Sequence, residues 1–215
     1  MVNYHEKMKD LLTSLEKLKS SRINNLVNSR IAEFAEIKDK SSDKIFTELC
    51  FCIMTANCSA EKCIEIHENI GDSFLNLSQY QLTNKFKELG YRFPNIRSKY
   101  IVEARCNKEE LHKRIKSNEG ENQLRDWIVK KIKGIGYKEA SHFLRNIGYK
   151  NYAIVDFHIV DLLAKHNLIT KPKAMTKKKY LEIEELLKDI GARLNLNMAK
   201  LDLYLWYLET GKILK

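Results

Sequence analysis

The sequence predicts an all-α fold, and three observations carry that prediction. Only 2 Pro and 8 Gly occur in 215 residues, which leaves little punctuation for strands and hairpin turns. Leu, Lys and Glu, all good helix formers, dominate together with Ile. Apolar residues recur at helical spacing along nearly the whole chain. A chain of this length suits one compact unit or two small lobes, and it buries a core without disulfides or metals.

The elements follow in order. Tyr4, Met8, Leu11, Leu12, Leu15 and Leu18 form one apolar stripe among lysines and glutamates, predicting a helix over 4–18. A second runs from about Arg22 to Ile37 and ends in the charged link 38–43, a candidate lobe boundary. From Ile45 to Ala56 the chain is apolar almost all round, as expected of a helix at the centre of a bundle. Ser59 can cap a helix over 60–70, and shorter helices are expected over 79–89, 96–105 and 108–116. An amphipathic helix over 123–133 breaks at Gly134-Ile135-Gly136 and restarts over 138–147. Residues 151–155 read as extended or irregular, after which Asp156 caps a helix over 157–166. Helices over 176–190 and 197–208 complete the chain.

Charge narrows the partner class. Lys and Arg number 38 against 28 Asp and Glu, a net charge of +10, which favours a polyanion. No run approaches the roughly 18 apolar residues that span a bilayer, and the first residues lack a secretory core. A soluble, cytoplasmic protein is expected. The 5 cysteines, at 50, 52, 58, 63 and 106, are odd in number and mostly within apolar helical sequence, which argues for reduced thiols over a disulfide framework.

The hairpin is the first candidate site. Two glycines one residue apart permit positive φ and present backbone N–H groups at the start of the next helix, a surface suited to phosphate. With Lys130, Lys131, Lys133 and Lys138 around it, the segment reads either as a DNA-backbone clamp or as a plain helix–helix turn capped by glycine. Lys138 lies in the first helical turn, where the helix dipole disfavours an ammonium and makes a neutral, nucleophilic amine more accessible. Eighteen residues later Asp156 stands at another helix start, as an N-cap or as a functional carboxylate. An amine beside a phosphate clamp can attack the anomeric carbon of a flipped nucleotide, with the carboxylate orienting it and stabilising positive charge on the sugar. Loss of the base leaves a Schiff base that breaks the strand by β-elimination, without any metal or cofactor.

Gly134-Ile135-Gly136-Tyr137-Lys138 followed by Asp156 resembles the helix-hairpin-helix DNA glycosylase superfamily. Segments 48–57, 89–93, 99–105, 138–146 and 203–215 further resemble the archaeal-type 8-oxoguanine DNA glycosylase/AP lyases. That resemblance implies two helical lobes with the active site in the cleft between them, residues 1–40 plus 141–215 forming one lobe and 41–140 the other. It implies Lys138 and Asp156 as the catalytic pair, Phe93 and Trp206 as a sandwich for the flipped purine, and Lys215 as a reader of its oxidised edge. Lys133, Gly134 and Gly136 would hold the DNA backbone, and Asn57 either caps its helix or inserts near the flipped nucleotide. The expected partner is double-stranded DNA containing 8-oxoguanine, bound by a nucleoid-associated monomer without an obligate protein partner. Oxidised guanine gains an N7 proton, so an acceptor is required, and a backbone carbonyl or the terminal carboxylate of Lys215 would serve.

The family commonly has an Arg where this chain has Phe157, which removes a possible ion pair or DNA contact. His158 is expected to orient Asp156 or the helix start. No cysteine follows Cys106, excluding the C-terminal iron–sulfur cluster of endonuclease III-type relatives, and the cysteine spacings do not suit zinc. The basic stretch 171–179 reads as a solvated connection or a further backbone contact. A glycosylase for another oxidised base, and a non-catalytic helix-hairpin-helix DNA-binding protein, are the alternative readings.

Overall fold

The computed structural model describes residues 4–117 and 120–215, and among them every regular element is a helix. Tyr4, assigned above to the stripe of the first helix, lies outside the described side chains. The chain forms two compact units: 1–34 with 148–215, and 35–147.

The unit of residues 35–147 is built around α3 (Ser42–Thr55), whose residues 45–55 are all buried. Ser41 caps its start. An apolar surface on every side needs neighbours on every side, and α3 is met by α4 (Ala60–Ile70), α6 (Pro94–Ala104), α7 (Lys108–Lys116) and α9 (Tyr137–Asn146). Phe46, Leu49, Phe51 and Ile53 are wholly buried, each worth roughly 1.5–3 kcal/mol of apolar burial. α5 (Gln79–Glu88) packs on α6 and starts with a capping box, Ser78 and Gln81 exchanging hydrogen bonds. Pro94 opens α6 at its first turn, two residues before the expected start, because proline is suited to that position. The sequence reading missed short 3-10 turns at 71–75 and 105–107.

The division drawn from sequence at 40/41 and 140/141 falls instead at 34/35 and 147/148. At the first boundary the charged link belongs with residues 35–147: Lys116 Nζ donates to the Lys38 carbonyl at 3.0 Å and pairs with Asp39, and Lys108 pairs with Asp43. The break therefore lies within α2 (Ile23–Ile37). At the second boundary residues 140–146 of α9 are all buried, and Asn146 Nδ2 donates to the buried Glu48 of α3 at 2.7 Å. A helix anchored at its last residue cannot be divided after its first turn.

The other unit contains α1 (Tyr4–Lys19), the first turns of α2, α10 (Phe157–Lys165), α11 (Lys177–Arg193) and α12 (Met198–Thr210). α12 packs against α1, α10 and α11, and Tyr204 donates to Asn24 Oδ1 of α2 at 2.8 Å. Residues 152–155, expected to be extended or irregular, carry no regular secondary structure and are buried, and no strand pairs with them among the described residues. Side chains of α11 take that role. Ala153 N donates to Glu184 Oε1 at 3.3 Å, Val155 N donates to the Tyr180 hydroxyl at 3.3 Å, and that hydroxyl donates to the Ala153 carbonyl at 2.7 Å.

Candidate active site

In the unit of residues 35–147 the hairpin joins α8 (Glu121–Lys131) to α9. Three side-chain contacts fix the pair: Tyr137 donates to Asp126, Arg125 Nη1 donates to Ser141 Oγ at 3.2 Å, and Arg125 lies 5.3 Å from the centre of the Tyr137 ring. Gly134 adopts φ +81°, and a Cβ there would stand 2.4 Å from Tyr100 Cδ2 and 3.0 Å from Arg97 Nη1. Only glycine fits. Gly136 differs from the expectation, since its backbone is extended and its N–H donates to Glu139 Oε2 at 3.1 Å. Glu139 sits three residues into the turn it caps, and its carboxylate answers both the orphan N–H and the helix dipole. The α9 start therefore has an internal anion.

Lys138 follows in the first turn of α9, half-buried, with Nζ 3.8 Å from Glu139 Oε1. Lys133, before the hairpin, is exposed and pairs with Glu103 at 3.0 Å. Asn57 ends α3 in the left-handed conformation at φ +61°, so it is a helix-terminating residue whose side chain is left exposed. Phe93 is half-buried at the α6 N-cap, its ring lying edge-on to Tyr91 at 6.5 Å.

Arg97 brings three of these features together, and the sequence reading did not single it out. Its Nη2 donates to the carbonyl of Ala56, next to Asn57, at 3.2 Å. Its guanidinium lies 5.9 Å from the Phe93 ring centre and 5.8 Å from that of Tyr100, and its Nη1 faces Gly134. A buried arginine on a helix gives no sign in one sequence. The available clue was its place one turn beyond Phe93, with Pro94 opening the helix.

In the other unit Asp156 is the N-cap of α10, accepting from Ile159 N at 3.0 Å, and it is held half-exposed at the end of the 152–155 segment. Tyr180 and Glu184 hold the backbone that leads into Asp156. The sequence reading missed both, since they lie far along the chain in a helix with no other sign of function. Phe157 is 68% exposed, a large apolar side chain left in solvent beside Asp156. His158, expected to orient Asp156 or the helix start, lies in the first turn of α10 with aromatic rings on two sides. Its ring lies tilted against that of Phe157, centres 3.9 Å apart, and stands edge-on to Trp206 at 4.6 Å.

Trp206 is half-buried on α12, and its indole Nε1 is buried with no hydrogen-bond partner among the described residues. A donor in that condition is costly unless a ligand supplies an acceptor. Gly211 ends α12 at φ +72° and turns the chain toward Lys215, which is half-buried. The expected sandwich partners, Phe93 and Trp206, thus lie in different units, as do Lys138 and Asp156. In the basic stretch Lys171 pairs with Asp161 at 2.6 Å and Lys179 with Glu182 at 3.0 Å, while Lys173 and Lys178 are exposed. No described helix is long and apolar enough to cross a membrane.

Comparison with known proteins covers nearly the whole chain. A family model for 8-oxoguanine DNA glycosylase matches residues 27–196. The 8-oxoguanine DNA glycosylase/AP lyase of Methanocaldococcus jannaschii is 50% identical over 206 residues, 95% of this chain and 99% of that protein. Its counterpart in Korarchaeum cryptofilum is 47% identical, covering 96% of this chain and 98% of the relative. The crystal structure of the Methanocaldococcus jannaschii 8-oxoguanine glycosylase/lyase in complex with a 15mer DNA containing 8-oxoguanine superposes with a TM-score of 0.93, over 95% of this chain and 99% of that one.

Proposed function

Since this chain belongs to the 8-oxoguanine DNA glycosylase family, we propose that it excises 8-oxoguanine from duplex DNA with Lys138 as nucleophile and then cleaves the abasic strand. The observation that carries the assignment of Lys138 is its place in the first turn of α9, behind a hairpin whose Gly134 admits no side chain. A lysine there is electrostatically adverse to the helix and is suited to chemistry instead.

The reaction runs through the chain's own groups. The Lys138 amine attacks C1′ of the flipped nucleotide and the oxidised base departs with the glycosidic electron pair. Asp156 stabilises positive charge on the sugar as that bond breaks. The ring opens to a Schiff base between Nζ and C1′, loss of a C2′ proton expels the 3′ phosphate, and hydrolysis frees the lysine. Phe93 and Trp206 stack on the base, each worth about 1–3 kcal/mol. The unpartnered Trp206 indole N–H supports a ligand acceptor at that position. Lys215 contributes to recognition of the oxidised edge, while Lys133, Gly134, Gly136 and Asn57 hold the DNA. The protein works on intracellular DNA, in the cytoplasm beside the nucleoid, as a monomer.

Borohydride trapping tests this reading. The wild-type chain should form a covalent adduct on a duplex containing one 8-oxoguanine and none on undamaged duplex. Lys138→Gln should bind the lesion duplex and form no adduct. Base release without an adduct would make water the nucleophile, and neither release nor adduct would favour another lesion or a purely DNA-binding protein.

A further inference from the structure

Between Asn57 and the start of α4 the chain carries a second arrangement of reactive groups. Ser59 is the N-cap of α4, its hydroxyl accepting from Lys62 N at 3.3 Å and its carbonyl from Cys63 N at 3.1 Å. Cys58 therefore precedes the cap and Cys63 is the fourth residue of the helix. Those are the two positions whose side chains meet across a helix start in a hydrophobic staple. Here both are thiols, near enough across the Ser59 cap that each shifts the other's pKa.

The environment divides their roles. Cys58 is half-exposed and Cys63 wholly buried. The Cys63 thiol, aided by the Ser59 N–H, Lys62 and Arg92, brings the Cys58 pKa down to about 7 despite partial burial. The neighbouring Cys58, together with burial, pushes the Cys63 pKa up, so the buried sulfur keeps its proton. Among the other cysteines, Cys50 and Cys52 are wholly buried in α3 and Cys106 is exposed. None of these has a thiol neighbour across a helix cap.

We propose that Cys58 and Cys63 form a redox modification site, in which a hydroperoxide converts the thiol staple into a reversible disulfide. The Cys58 thiolate attacks the terminal peroxide oxygen, giving a sulfenic acid and an alkoxide or hydroxide that takes up a proton. Cys63 then gives up its proton and attacks the Cys58 sulfur, and the departing hydroxide leaves with that proton as water. The two electrons lost by the sulfurs reduce the O–O bond, and a dithiol reverses the change. The disulfide would clamp the turn carrying Asn57 onto the first turn of α4.

The test uses the full chain with Cys106→Ser to remove the other accessible thiol. Hydrogen peroxide should yield a linked peptide containing Cys58 and Cys63, lighter by two hydrogens and restored by dithiothreitol. Without peroxide, iodoacetamide labelling of Cys58 should reach half its maximal rate near pH 7. With Cys63→Ala the reaction should stop at a Cys58 sulfenic acid captured by dimedone, and with Cys58→Ser, a change at a half-exposed position, Cys63 should survive as a thiol. Peroxide that leaves both cysteines unchanged overturns the proposal. So does a sulfenic acid that persists on Cys58 beside intact Cys63, or oxidation of Cys63 when Cys58 is absent.

Discussion

The start of α9 in one unit and the start of α10 in the other each present a residue proposed for the chemistry, but they are held by different means. Lys138 stands on a hairpin fixed mostly by neighbours in sequence, the Glu139 cap and Tyr137 and Arg125 across the turn, with Gly134 pressed against Tyr100 and Arg97 of α6. Asp156 stands at the end of a buried irregular segment whose backbone bonds to Tyr180 and Glu184, more than a helix away along the chain. A helix start can be positioned by local chemistry or by distant side chains, and only the first kind leaves a compact motif. Substitutions on the two sides should therefore fail differently.

The largest effect is expected at Asp156, where the N-cap and catalytic roles can be separated. Asparagine caps as well as aspartate, so Asp156→Asn should unfold within about 0.5 kcal/mol of wild type while single-turnover excision falls at least about 100-fold. Asp156→Ala should lose a comparable rate and, in urea denaturation, about 1 kcal/mol as well. Wild-type excision by the asparagine variant would reduce Asp156 to a cap and remove one side of the comparison.

Next comes the hairpin. Gly134→Ala imposes a left-handed backbone on alanine and drives its Cβ into Tyr100, with an expected destabilisation of about 2–4 kcal/mol by urea denaturation and a matching loss of duplex affinity. Adding Tyr100→Ala should return the steric part but not the backbone strain. Full recovery would mean that the ring contact alone demands glycine.

This asymmetry also explains what could be read from the sequence. The helices were legible because apolar spacing and caps are local: Ser59 and residues 60–70, and Lys108–Lys116, lie where the pattern put them. Gly134 stood out because two glycines one residue apart break a helical pattern, and Lys138 because a cation is adverse in a helix's first turn, whereas Asp156 showed locally only as a helix cap, the usual place for an aspartate. The unit boundaries were not, because they depend on tertiary bonds such as Asn146 to Glu48 and Lys116 to Asp39, and no local pattern encodes those partners. Arg97, Tyr180 and Glu184 escaped for the same reason. The contact of His158 with Trp206 of α12 is likewise tertiary, and nothing local to residues 156–158 encodes it.

The distant support of Asp156 is tested by removing one atom. Tyr180→Phe deletes the hydroxyl that accepts from Val155 N and donates to the Ala153 carbonyl, leaving both groups buried in 152–155. The expected destabilisation is about 1–3 kcal/mol. Because the segment leads directly into Asp156, excision should fall further than duplex affinity does. Equal losses in the two would mean that Tyr180 supports the fold without positioning the carboxylate.

The smallest effect is expected at Lys133, on the hairpin side but outside its framework. Its ammonium is exposed, and its pair with Glu103 is of the surface kind worth about 0–1 kcal/mol, so Lys133→Gln should leave denaturation nearly unchanged. As a phosphate contact it should instead appear in the salt dependence of binding, where losing one contact lowers the slope of log affinity against log salt by about 1. The loss should be the same for lesion and undamaged duplex, since a phosphate carries no information about the base. An unchanged slope would confine Lys133 to its pair with Glu103, and a loss confined to lesion DNA would place its influence on the flipped nucleotide instead of the backbone.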